Sequence, residues 1–425
     1  IFKPAAKFDF PQNYGKLISL DGIESKQVLA RFENKTLLYN ALLTAPTSNG
    51  EVYLGSSLFS QNVPPYDYPD SEAGRAGTRN KMLIRTEFGH ISVDAKRGDI
   101  LLFQGRDAKD ITTGISAFCS EFFDFQIDKH FDISVDNPFY GVGFHGVYDK
   151  KYERAIITKL DYKPIVDGIK LEENGVFVLN GKPIELTDTR YFCNLSLTLS
   201  YSFKTGTWIS FHTYLPNYYV VAPNEFYSGN AESLWKHDVS ISKFNNFYGK
   251  IHPYILEYAY QYSFYDEILQ NVQNYSNVLK YESFREFYET DEYFFNKFIA
   301  WNNQQSSGLI EMVPSPKNNL FLKKQYPKYN SGSKTILVSK SGSFYNIHTF
   351  WDMIKDVKKP VWKSSCENLS IYKELNDDNH DYSKRSFNKA PIRAKDLKLR
   401  FILDDRDDIQ IISGFTIAPT ATSFK

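Results

Sequence analysis

The residues suited to chemistry are few, and their spacing does not match any known catalytic or ligand-binding pattern. Asp404, Asp405, Asp407 and Asp408 crowd one short stretch, which raises a calcium loop as a reading. Calcium loops alternate their ligands, turn on a central glycine and close with a distal glutamate. Those marks are missing, so the stretch reads as a solvated hairpin turn. Asn376-Asp377-Asp378-Asn379-His380-Asp381 is also acidic, but it has no second ligand cluster near it and reads as a loop. His145 and His212 lie in β-prone runs. No Gly-x-Ser-x-Gly elbow accompanies them, so each reads as a strand histidine that satisfies a local hydrogen bond. Gly141-Val142-Gly143-Phe144-His145-Gly146 fits the string Gly-x-Gly-x-x-Gly. A dinucleotide loop must open a helix, and here a β-prone run follows. Catalytic carboxylates drawn from distant positions, as in glycosidases, would leave no local mark. Cys119, Cys193 and Cys366 lack metal-ligand spacing, and their odd number argues against a disulfide framework. They are expected to be reduced thiols in partly buried positions. No catalytic, cofactor-binding or metal-binding residue is assigned, and no cofactor is expected.

The elements that would position such residues are mostly strands. The chain has 425 residues, with 30 Tyr and 34 Phe, and such aromatics favour half-buried pleated surfaces. Its 23 Gly and 18 Pro punctuate it at short intervals. Hairpin signals recur. Ile91–Asp94 and Ile100–Phe103 flank a polar turn. His145–Asp149 and Ala155–Leu160 flank another. Gly175–Leu179 and Lys182–Leu186 are joined by Asn180-Gly181, the strongest two-residue turn signal in the chain. Leu195–Phe203 and Thr207–Tyr214 are joined by Lys204-Thr205-Gly206, and Leu195, Leu197, Leu199, Tyr201 and Phe203 keep a period of two. Thr335–Val338 and Ser343–Ile347 form a fifth pair, and Leu397–Leu403 with Ile409–Ile417 a final one. Ile111, Ile115, Phe118, Phe122 and Phe125 recur at three or four, which predicts a short amphipathic helix. Tyr265–Val278 has apolar residues at helical spacing, and Ser283–Phe298 also admits a helix.

The fold class expected is mainly β: antiparallel hairpins as propeller-like blades with a short inserted helix, plus a second β-rich or mixed α+β region. Four stretches organise it. Residues 1–80 are an N-terminal extension and loop, with a strand or short helix within Arg31–Leu43. Residues 81–245 are the hairpin region. Residues 246–394 are a mixed aromatic-rich region with long loops, and 395–425 a C-terminal hairpin. Ser60–Asn80 and Ser364–Ala394 are polar excursions. Trp208 and Trp235 are expected to pack in the core or between blades.

Charge argues against one broad class and leaves local basic patches open. Fifty basic residues balance fifty acidic ones, so affinity for nucleic acid through a general positive field is not expected. No apolar run approaches the roughly 20 residues that span a bilayer as a helix. Surplus Tyr suits surfaces where proteins meet.

Three strings carry a resemblance. One is Phe144-His145-Gly146-Val147-Tyr148-Asp149-Lys150-Lys151-Tyr152-Glu153-Arg154. Another is Tyr201-Ser202-Phe203-Lys204-Thr205-Gly206-Thr207-Trp208-Ile209-Ser210-Phe211-His212-Thr213-Tyr214-Leu215-Pro216. The third is Asn224-Glu225-Phe226-Tyr227-Ser228, followed by Leu234-Trp235-Lys236-His237. With these the chain resembles the tail-tip muzzle, or stabilisation, proteins of crAss-like phages of gut bacteria. The densest match covers Asp136–Asp238, and 1–80 and 265–394 add little.

The resemblance implies a structural virion protein in a short-tailed phage. Such a subunit would form a ring with copies of itself at the distal tail and close the conduit for DNA and internal proteins. Tail-barrel proteins, and tail fibres, would be its partners. The family includes processed chains, which suits a start at Ile1 and leads us to expect a fragment of a longer precursor. No catalytic residue comes with the resemblance, so no enzyme activity is expected. Two other classes stay open. A propeller-type glycosidase or depolymerase would need two carboxylates facing one cleft, about 5–10 Å apart. A glycan-binding module would present exposed aromatics on one face.

Overall fold

The computed structural model describes residues 10–24, 27–40, 43–47, 50–55, 66–68, 82–133, 135, 141–230, 233–239, 243–261, 267–282, 286–290, 295–302, 310–314, 335–341, 344–348, 393–394, 396–404 and 406–421. They are mainly β, arranged as antiparallel hairpin sheets with one short α-helix. The chain divides into two compact units, the first running to His237 and the second beginning at Asp238.

In the first unit, Leu17–Glu24, Gln27–Phe32, Thr36–Asn40 and Tyr66–Asp67 form one sheet in that order. The expected strand or helix within 31–43 is therefore strand. Tyr66–Asp67, inside the expected loop 60–80, pairs with Leu37 and Leu38 instead. The Tyr68 side chain is buried against Phe103, which draws this point of the excursion into the core. The rest of that excursion lies outside the described residues.

A meander of Ile84–Thr86, Gly89–Asp94, Asp99–Gln104 and Asp107–Asp110 follows. Arg31 ties it to the first sheet. Its guanidinium is fully buried and donates to Met82 O (2.9 Å), Ser92 Oγ (2.6 Å) and Asp21 Oδ2 (3.1 Å). A buried cation is tolerated only when its donors are all engaged in this way.

The main core of the unit lies on one face of a central sheet. That sheet runs Gly143–Asp149, Arg154–Leu160, Leu197–Ser202, Thr207–His212. Phe144, Ala155, Ile157, Leu197, Leu199 and Tyr201 project to this face and meet the helix Ser116–Phe122 and its flanks. The period-two pattern in 195–203 is this inward row. Each fully buried large apolar side chain contributes roughly 1.5–3 kcal/mol. Arg154–Leu160 is interior to the sheet and almost wholly buried, so it shows no alternation. The Asn180-Gly181 turn has both φ values positive (53° and 73°), as a two-residue hairpin with right-handed strands requires.

The second unit holds a large sheet in the order Tyr254–Gln261, Asp396–Leu403, Lys297–Trp301, Ile310–Pro314, Thr335–Ser341, Phe344–His348, Glu267–Glu282, Glu286–Thr290. Ile310–Pro314 runs parallel to Thr335–Ser341, and the other pairs are antiparallel. Three expectations are corrected here. The helical spacing in 265–278 belongs to the strand Glu267–Glu282. Within 283–298, the described residues give Glu286–Thr290 and the start of Lys297–Trp301, both strands. In each case pairing along a long neighbour overrides a short periodicity. The final hairpin does not form as a pair. Asp396–Leu403 inserts between Tyr254–Gln261 and Lys297–Trp301, while Ile409–Ala421 pairs along Glu267–Glu282. Ile409–Ala421 finds in the 16-residue strand Glu267–Glu282 a longer partner than the 8-residue Asp396–Leu403 could offer, and Asp396–Leu403 is paired on both of its edges instead.

Candidate functional site

The central sheet has a second face, and its residues differ in kind from the core side. Register places His145, Thr158, Thr198 and His212 in one row across four strands. The next row is Val147, Ile156, Ser200 and Ser210, and the next Asp149, Arg154, Ser202 and Thr207. Hydroxyls and imidazoles therefore line a face that strand alternation alone would mark as the solvent side.

A three-stranded sheet covers this face over the inner strands Arg154–Leu160 and Leu197–Ser202, while Thr207 and Ser210 on the outer strand stay exposed. It runs Tyr218–Val221, Phe226–Asn230, Ser233–Lys236. Tyr219, Phe226 and Ser228 point inward, with Phe226 packed on Val147 and Ile156. Tyr219 Oη lies 2.8 Å from Thr158 Oγ1, which lies 2.9 Å from Thr198 Oγ1. Thr198 donates to Tyr214 O at 2.8 Å. His212 Nε2 sits 3.0 Å from Ser200 Oγ, and His237 Nε2 sits 2.6 Å from Ser228 Oγ. The Phe226 ring stacks on His237 at 4.5 Å, and Tyr214 lies against both imidazoles at 5.1 and 5.5 Å.

Electrostatics follow from burial. Desolvation pushes His212 down to about 3, helped by the Arg154 charge and by His237. It pushes His237 down to about 4, again with Arg154 lowering it and Asp149 opposing. His145 is lowered by burial and bonds Gly141 O at 3.2 Å. His145 and His212 therefore satisfy local partners, as the sequence reading held. The sequence singles out His145 and His212, each on its own strand. It gives no signal for the Ser228–His237 pair, because residues nine apart meet only when the last two strands fold together.

A serine 2.6 Å from a neutral imidazole resembles an activated nucleophile. Ser228 is 0% exposed, so its oxygen meets no substrate in this arrangement. The pair ties the strand Phe226–Asn230 to the end of Ser233–Lys236 within the three-stranded sheet, and Tyr219 with Thr158 bridges the two sheets.

The other singled-out residues have structural partners. Asp404 accepts from Asn296 Nδ2 at 2.8 Å and from Lys297 Nζ, Asp407 accepts from Asn246 Nδ2 at 2.7 Å, and Asp408 pairs with Arg406 of the same turn at 2.8 Å, while Asp405 lies outside the described residues. Residues 376–381 lie outside the described residues. The glycine string enters the strand Gly143–Asp149. A Cβ at Gly146 would fall 2.5 Å from Ile84 Cδ1, so this glycine lets two sheets meet. Trp208 donates from Nε1 to Ile111 O at 2.7 Å and packs on Tyr201, inside the core as expected. Trp235 departs from expectation, being 37% exposed on the edge of the three-stranded sheet. Cys119 is a free, buried thiol, pushed up to about 12 by burial. Cys193 corrects the thiol expectation: it is disulfide-bonded. An odd count leaves room for one bridge and one spare thiol.

The outer face of the three-stranded sheet is apolar and exposed. Tyr218, Val220 and Leu234 project there at 44%, 44% and 56% exposure. Tyr218 lies flat over Gly229, where any Cβ would come within 2.2 Å of the ring. Beside them Tyr227 donates to Glu225, which pairs with Lys236.

No protein-family model matches the chain, and no curated protein matches it. No helix among the described residues is long and apolar enough to cross a membrane.

Proposed function

We propose that the chain is a structural subunit of a short-tailed phage tail, forming part of the distal muzzle through contacts with copies of itself and with tail-barrel proteins. The observation that carries this reading is the outward apolar face of Tyr218, Val220 and Leu234. Contiguous exposed apolar surface on a folded chain marks a place where another macromolecule sits. Antiparallel hairpin sheets and a buried polar layer support the same reading, since both make a stiff part. This face lies within the stretch that carries the resemblance. Catalysis has no part in this account.

The test is location. Mass spectrometry of purified virions of the encoding phage should find this chain as a stoichiometric tail component. An antibody against it should label the distal end of the tail. Recovery only from host cells, or binding to defined oligosaccharides through Tyr218 on the outer face, would replace this reading with the glycan-directed one.

A further inference from the structure

The contact between the central sheet and the three-stranded sheet is unlike an apolar core. Among the described residues its buried apolar cluster is Val147, Ile156 and Phe226, with Tyr219 against them. The remainder is the row His145–Thr158–Thr198–His212 on one side and Tyr219, Ser228 and His237 on the other. Tyr214 sits between the His212 and His237 rings.

We infer that this histidine layer is an acid-releasable latch, in which protonation of His212 and His237 drives the three-stranded sheet off the central sheet. The charges facing the two imidazoles decide the matter. Arg154, on the central sheet, is a fixed cation acting on both. Asp149 is the facing carboxylate, and Arg154 Nε already engages it at 2.8 Å. His145 occupies the far end of the same row, and Tyr214 and Tyr219 are neutral hydroxyls. Glu225 and Lys236 pair with each other on the outer face. New positive charge would therefore meet Arg154 and a carboxylate already spent.

The sign follows from where protons bind. In the closed form the imidazoles take protons only near about 4 and about 3. Opened to water, they return to the ordinary value of about 6.5. Between those limits the open form binds protons that the closed form does not, so acid favours opening. Near pH 5 each histidine shifts the equilibrium by about thirty-fold. Neither the phage reading nor any partner is needed for this inference.

Hydrogen exchange of the full chain, corrected for the intrinsic pH dependence of exchange, tests it. Between about pH 7 and about pH 5, amides of Phe226–Asn230 should lose at least about ten-fold in protection, while Arg154–Leu160 stays protected. His212→Gln with His237→Gln should abolish that pH dependence. Protection that does not change with pH in the wild type overturns the latch, as does an unchanged pH dependence in the double variant. Should the variant fail to fold, imidazole NMR of the wild type decides. Side chains that stay neutral until the sheet opens support the latch, and titration near 6.5 with the sheet still protected overturns it.

Discussion

Lys159 Nζ lies 2.8 Å from Asp161 Oδ2, and the two side chains are 1% and 0% exposed. Strand alternation sends Lys159 to the core face, where its ammonium also donates to Phe122 O (2.7 Å) and Asp124 O (3.0 Å). Asp161 accepts from the backbone amides of Gln126 (2.9 Å), Ile127 (3.2 Å) and Tyr162 (2.9 Å). The pair closes the end of the helix Ser116–Phe122 onto the sheet, and the Lys159 ammonium sits 5.0 Å over the Phe125 ring. Burial lowers the Lys159 pKa, while Asp161 opposes that shift.

Breaking this pair leaves a buried ion alone. Asp161→Asn should cost about 3–5 kcal/mol in denaturant unfolding. Lys159→Met with Asp161→Asn should recover a large part of it, because no uncompensated charge remains. A double variant as unstable as the single one would show that the hydrogen bonds of Asp161, and not its charge, carry the effect.

Asp94 should act in the opposite sense to the histidines. It is buried in the meander, where desolvation raises it to about 6 against the amides of Lys96 and Arg97. Its contribution to stability is present below its unfolded value of about 3.9 and is lost as pH rises through about 6. Asp94→Asn should therefore gain about 2–3 kcal/mol near pH 7.5 and about 1 kcal/mol near pH 4.5. Equal gains at both pH values in unfolding experiments would contradict the assignment. Because this term and the histidine term oppose one another in global unfolding, the latch must be read locally.

Gly98 is the turn residue between Gly89–Asp94 and Asp99–Gln104, with φ of +78°. A Cβ there would lie 2.5 Å from the backbone of Cys119. Backbone cannot yield as a flexible side chain can. Gly98→Ala should lower stability by more than about 2 kcal/mol and expose the helix to proteolysis. A thermal midpoint within experimental error of the wild type would show that the turn is not seated on the helix.

Thiol chemistry gives a count. The chain has three cysteines, Cys193 is bonded and Cys119 is free. Thiol titration of the denatured, unreduced protein should find one reactive thiol per chain, and reduction should raise this to three. Three thiols before reduction would remove the bridge.

The hairpins were legible because their signals are local. Asn180-Gly181 and the row Leu195 to Phe203 carry their geometry in adjacent residues. The short helix was legible for the same reason. Strand partnership was not: nothing near Leu397 or Ile409 says that each will pair with a strand more than a hundred residues away. Hairpin recurrence likewise reports local pairing and is silent on how sheets close about an axis. The histidine layer shows the same limit. His212 stood out on its own strand, whereas Ser228, His237 and Tyr214 acquire meaning only when a second sheet folds over the first. Polar residues at buried strand positions, Thr158 on one strand and Thr198 and Ser200 on the next, were the available hint, since core strands seldom spend adjacent buried positions on hydroxyls.

The most direct test of the structural role is the mass of the native assembly. The purified full chain at micromolar concentration, examined by native mass spectrometry, should run as a closed ring of identical copies. Leu234→Asp with Val220→Asp on the outer face should reduce it to smaller species without unfolding it. A wild-type chain that stays monomeric across the concentration range, and that takes up no tail-barrel protein when one is added, would contradict the account.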